Sequence, residues 1–114
     1  MMKYILQGKN ISISESIVSL VETKIKTLER FVSRFDPAVV EARIEVGKPS
    51  RHHRTGLVFY AEINLKIPGK SLRAEVTNLD LSLAVNEAFK EMERQIKDYK
   101  DKIVTKNKNS KIEN

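Results

Sequence analysis

Between Val40 and Val76 three runs of this chain place apolar residues at every second position, and on either side of that stretch they recur every three or four. Side chains alternate faces along a strand and return to one face about every 3.6 residues along a helix, so the change of period divides the chain into strand and helix territory. Val40, Ala42, Ile44 and Val46 alternate with Val39, Glu41, Arg43 and Glu45. Leu57, Phe59, Ala61, Ile63, Leu65 and Ile67 then alternate with Val58, Tyr60, Glu62, Asn64 and Lys66. After the turn chemistry of Pro68-Gly69-Lys70, Leu72, Ala74 and Val76 alternate with Ser71, Arg73, Glu75 and Thr77. Each run reads as a half-buried strand, and the last two as an antiparallel hairpin.

On the N-terminal side, Tyr4-Ile5-Leu6-Gln7 forms a short strand and Ile17, Val18, Val21, Ile25, Leu28, Val32 and Phe35 follow at helical spacing. Ser14 is placed to cap that helix, with Ile13 and Val18 as a hydrophobic staple; Ser12 with Glu15 offers a capping box slightly earlier. The helix is expected over Glu15 to Ser33, ended by Asp36-Pro37 because proline lacks a donor and disfavours helix in the residue before it. On the C-terminal side Asp80 caps a second helix, with its stripe at Leu81, Val85, Ala88, Met92, Ile96, Tyr99 and Ile103.

The order is therefore β-α-β-β-β-α, an α+β fold in which a four-stranded sheet with two helices packed on one face satisfies every apolar stripe. A chain of 114 residues is large enough for one such two-layer core. It divides into a domain over 1–103 and, over 104–114, a flexible tail that loses the apolar period and carries Lys106, Lys108 and Lys111 against Glu113.

Function classes narrow by composition. The chain has no cysteine, which removes disulfides, thiolate metal sites and cysteine nucleophiles. Its only histidines are the adjacent His52 and His53, with no third His or Cys to complete a zinc set. No nucleophile and base can be matched, and Gly47-Lys48 through Gly56 lacks the Gly-Lys-Ser/Thr end of a phosphate-binding P-loop. No catalytic residue, metal or cofactor is expected. Neither a signal-peptide core nor the roughly 20 apolar residues of a membrane span is present, so a soluble cytoplasmic protein is expected.

Charge points to a polyanion, with 21 Lys and Arg against 15 Asp and Glu giving a formal net charge of +6. On the open sheet face Lys3, Arg43, Lys66 and Arg73 are offset by Glu41, Glu45, Glu62 and Glu75, which suits cross-strand ion pairs. Tyr60 is the one clear aromatic of that face, against the two or three on which a sheet stacks RNA bases. Opposite the apolar stripes, by contrast, Lys26, Arg30 and Arg34 on the first helix and Lys90, Arg94 and Lys97 on the second recur a turn apart, a spacing suited to successive phosphates. The connector between strands two and three adds Arg51, His52, His53 and Arg54.

Several segments also resemble the bacterial hibernation-promoting factors and ribosome-associated inhibitors. They are Pro68-Gly69-Lys70-Ser71-Leu72-Arg73-Ala74-Glu75, Asn78-Leu79-Asp80-Leu81-Ser82-Leu83-Ala84-Val85 and Met92-Glu93-Arg94-Gln95-Ile96. Glu62-Ile63-Asn64-Leu65, Leu28-Glu29-Arg30-Phe31 and Gln7-Gly8-Lys9-Asn10 with Ile13-Ser14 fit as well, so the likeness runs over residues 3–103. It implies a fold similar to double-stranded-RNA-binding domains and a non-enzymatic protein of the bacterial ribosome. Such a protein occupies the small-subunit decoding region and messenger channel, against ribosomal RNA and nearby ribosomal proteins. There it excludes messenger RNA and A- and P-site transfer RNA, inhibiting translation in stationary phase or starvation.

By position the resemblance marks Lys24, Arg30 and Arg94 as RNA-facing, with Lys100 added to the same surface. Thr27 and Glu91 depart from it, each standing where the family commonly has a basic residue, with Lys26 and Lys90 beside them. In length the chain resembles the family's short forms, which lack a dimerising domain, and a monomer off the ribosome is expected. Two other classes fit the composition: a general structured-RNA-binding module, recognised by equal affinity for any duplex RNA, and a regulatory protein-interaction domain, recognised by binding that survives high salt.

Overall fold

The computed structural model describes residues 2–49 and 58–112. Among these, β1 (Lys3–Lys9), α1 (Glu15–Phe31), β2 (Glu41–Gly47), β3 (Phe59–Ile67), β4 (Lys70–Asn78) and α2 (Leu81–Ile112) follow in the expected β-α-β-β-β-α order. The sheet order is β1-β2-β3-β4, with β1 parallel to β2 and the other neighbours antiparallel. β1 and β4 run in one direction, each helix returns from the strand before it, and the two helices pack side by side, α2 over β3 and β4. They therefore point the same way.

Local chemistry sets the boundaries. Ser14 accepts a hydrogen bond from the Ile17 amide at 3.3 Å, so it is the N-cap of α1. Ile13 packs on the core while Val18 is 38% exposed, which leaves little of the expected staple. The helix ends at Phe31, two residues short of Ser33, because the Val32 amide turns to the Glu29 carbonyl in a tightened last turn. Asp36 then accepts from the Ala38 amide at 3.0 Å, closing a turn around Pro37. At the hairpin, Gly69 has φ +76°, the left-handed value that the residue after proline takes in a type II turn. Asp80 caps α2 by accepting from the Leu83 amide at 3.1 Å.

The core lies between the helices and one sheet face. Ala42, Ile44, Val46, Ala61, Ile63, Leu65, Ile67, Leu72 and Ala74 come from the strands, facing Ile17, Val21, Ile25 and Leu28 of α1. From α2 come Ala84, Val85, Ala88, Met92 and Ile96, joined by Phe89, the largest fully buried side chain, which the stripe drawn from the sequence omits. Tyr99 donates to the Pro68 carbonyl at 3.2 Å and ties α2 to the hairpin turn. At the sheet margins, Glu29 of α1 accepts from the Met2 amide at 2.7 Å, and Gln95 of α2 donates to the Arg73 carbonyl at 2.8 Å.

The C-terminal segment also differs from expectation. The backbone over 104–112, expected as an irregular tail, continues α2 as far as Ile112. No Pro or Gly interrupts it, and a helix already nucleated adds residues at little cost. The end of an apolar stripe marks where packing stops, which is a different event from where a helix stops.

Candidate nucleic-acid interface

Strand register decides what the open sheet face offers. It aligns Gln7, Glu45, Glu62 and Glu75 in one row across the four strands and Ile5, Arg43, Asn64 and Arg73 in the next. Three carboxylates therefore sit directly opposite one another, an arrangement that costs energy unless donors intervene. The donors are present. Arg73 bridges to Glu62 on the neighbouring strand at 3.3 Å and to Glu75 on its own, Asn64 donates to Glu62 at 2.7 Å, and Gln7 and Tyr60 each donate to Glu45 at 2.8 Å. The bonds from Arg73 and then Asn64 hold the Glu62 carboxyl below its ordinary range. Burial, and then Glu45, keep the Tyr60 phenol protonated well above its usual value.

The expected cross-strand ion pairs thus reduce to Arg73 with Glu62, since Arg43 pairs with Glu41 along its own strand at 3.7 Å. Tyr60 is only 9% exposed, so the one aromatic considered for base stacking has its ring covered. The carboxylates of this face are thus satisfied from within it.

On the helical face two hydrogen bonds fix which flank points where. Glu29 reaches the β1 margin, so Lys24, Thr27 and Phe31, on the other flank of α1, turn toward α2, while Arg34, expected on the helix, lies in the turn that follows it. Gln95 reaches the β4 margin, so Glu87, Glu91 and Asp98 share that flank of α2, while Glu93, Lys97 and Lys100 turn toward α1. Lys100 is half-buried on that flank, and burial first, then the charge of Arg34, depress its pKa. Lys26, Arg30, Arg34, Lys90 and Lys97 are exposed, and Lys24 is half-buried at the stripe's edge. Among the described residues, none of these takes part in an ion pair with an acid.

Arg94 is the exception. Its Nε donates to Glu91 at 3.0 Å and its Nη1 to Asp98 at 2.7 Å, and Nη2 makes a second bond to Glu91. The bonds from Arg94, and then Gln95, pull the Glu91 pKa down to about 2. The stripe Lys90, Arg94, Lys97 is therefore broken at its centre. Sequence reasoning registered Glu91 but missed Asp98, although spacings of three and four from Arg94 are those at which helical side chains meet.

Arg51, His52, His53 and Arg54 lie outside the described residues. Within those residues no group of three or more His, Cys, Asp or Glu is arranged to hold a metal, and no helix is long and apolar enough to cross a membrane.

Residues 4–104 match the family described as sigma 54 modulation protein / S30EA ribosomal protein. The ribosome hibernation promotion factor of Bacillus subtilis is 32% identical over 102 residues, covering 90% of this chain and 50% of that protein. That of Deinococcus radiodurans is 30% identical over 98 residues, covering 85% and 48%. The chain thus spans about half the length of the curated relatives it matches. Among solved structures, the N-terminal domain of Thermus thermophilus Protein Y superposes with a TM-score of 0.71 at 28% identity, covering 87% of this chain and 99% of that one. A ribosomal subunit interface protein from Coxiella burnetii shares the fold, with a TM-score of 0.67 at 20% identity over 88% of this chain and 99% of that one.

Proposed function

Because this chain belongs to the sigma 54 modulation protein / S30EA ribosomal protein family, we propose that it is a ribosome hibernation factor, cytoplasmic and ribosome-associated. It seats its helical face on small-subunit ribosomal RNA in the decoding region, excludes messenger RNA and A- and P-site transfer RNA by occupancy, and so inhibits translation during stationary phase or starvation. The reaction it performs is binding alone, with no bond made or broken.

One observation carries the choice of face. Lys24, Lys26, Arg30, Arg34, Lys97 and Lys100 take part in no ion pair among the described residues, whereas both arginines of the sheet face are held by carboxylates and leave Lys3 and Lys66 unpaired there. Phosphate binding by Lys and Arg gains free energy largely through release of condensed counterions, so cations already paired with carboxylates contribute less. The parallel helices present two such rows on one surface, enough to follow a folded RNA backbone by shape without reading bases.

Sedimentation with vacant bacterial ribosomes and with isolated subunits tests this. Co-sedimentation with small subunits and whole ribosomes, weakening steeply as salt is raised and accompanied by inhibited translation in vitro, is the expected result. Recovery on neither particle sinks the proposal. Equal affinity for any duplex RNA with no effect on translation would identify a general structured-RNA-binding module.

A further inference from the structure

Arg94 occupies the middle of the outward stripe of α2, but it is not free to act as the stripe's other cations do. Three of its five donors are committed, two to Glu91 and one to Asp98. One positive charge held by two negative ones leaves that point of the surface at net −1. Glu87 on the same flank adds to it. The seam toward α1, in contrast, carries Lys97 and Lys100 with Glu93 on α2 and feels the charge of Arg34, and none of these cations is held in an ion pair among the described residues.

We infer that Glu91 and Asp98 withhold Arg94 from RNA and mark the limit of the interface, so that the phosphate backbone is gripped at the seam between the helices and turned away from the β4-side flank of α2. The inference rests on the ribosome-binding reading and adds to it a direction: the two carboxylates set how the domain is rotated on its RNA. A phosphate approaching Arg94 must either displace Glu91, whose carboxylate stays ionised far into the acid range, or accept two like charges beside it. Neither cost is met at Arg34 or Lys100. Glu91 and Asp98 are thus specificity residues, acting by repulsion where the seam acts by attraction.

A double-mutant cycle on vacant ribosomes separates this from a simple gain of net charge. Affinity is measured for the wild type, Arg94→Gln, Glu91→Gln/Asp98→Asn and the triple variant, with circular dichroism melts confirming the fold of each. Arg94→Gln should cost less than twofold in the wild type. In the Glu91→Gln/Asp98→Asn background it should cost at least fivefold, and that background should steepen the plot of log affinity against log salt by about 0.9, one phosphate contact. A cost of Arg94→Gln that is the same in both backgrounds overturns the inference while leaving the ribosome-binding reading intact. A wild type that binds no ribosome overturns both.

Discussion

The two broad faces of this domain both carry arginine and lysine, yet they differ in what those cations are doing. On the sheet, Arg73 is committed to Glu62 and Glu75, and Arg43 to Glu41. On the helical side most cations have no such partner among the described residues, and Lys100 feels the charge of Arg34 across the seam. Counting charges along the sequence treats the faces as different in sum. The structure shows that they differ more in availability, and Arg94 carries the lesson of the sheet onto a helix.

The largest effect should come from reversing charge on one face at a time. Arg30→Glu/Arg34→Glu/Lys97→Glu/Lys100→Glu is expected to weaken ribosome binding by about a thousandfold or more, since each lost phosphate contact compounds. Lys3→Glu/Lys66→Glu on the sheet should change it by less than about tenfold. Equal losses in a filter-binding or sedimentation assay would erase the distinction between the faces.

Next in size is the support that both faces share. Phe89→Ala should cost about 3–5 kcal/mol in urea unfolding, because a fully buried aromatic leaves a cavity that parallel helices cannot easily close. A cost under about 1 kcal/mol would mean that the helical layer packs loosely and its cations are not held in register. Gly47→Ala tests the sheet side, where a Cβ would lie 2.1 Å from the Lys9 carbonyl oxygen, so the β1–β2 backbone must move. About 1–3 kcal/mol is expected from such overpacking, and a neutral change would place that backbone elsewhere.

The smallest effect sharpens the electrostatic claim. Glu62 has a depressed pKa in the folded protein, so in acid the unfolded chain binds more protons and stability rises with pH. The contribution is complete above the ordinary carboxylate pKa and disappears as pH falls through the folded one. The stability difference between wild type and Glu62→Gln, about 1 kcal/mol at neutral pH, should shrink as pH falls below the ordinary carboxylate range. A difference that stays constant on acidification would show that the carboxylate row is not held by Arg73.

Much of this fold is legible in the sequence because period carries it. Once three runs within residues 40–76 alternate and the flanks repeat with helical spacing, a two-layer packing is the arrangement that hides every stripe, and Ser14, Asp80 and Pro68-Gly69 punctuate it. Phe89 escaped because it lies beside Ala88 on the inner face, and a stripe drawn one residue wide omits its broader partner. The reach of α2 escaped because polar residues end packing without ending a helix.

The site was legible only in outline. Which residues turn outward follows from the wheel, but which outward cations are already spoken for depends on rotamers and register. Glu45, Glu62 and Glu75 lie far apart in sequence, and only pairing of three strands sets them in a row. The Arg94 clamp is local, at spacings of three and four, and could have been read. The charge that Lys100 feels from Arg34 joins α2 to the turn after α1, and sequence alone does not place it.

The side chains of Glu29 and Gln95 at the two sheet margins have a consequence for the life of the protein at high concentration. A sheet that ends in unpaired amides and carbonyls is a template on which another chain can add a strand, and another after it. Here one amide at the first margin and one carbonyl at the second are occupied by groups from the helices. A strand added across either of these two points would have to displace a helix side chain from a hydrogen bond that the folded domain already makes.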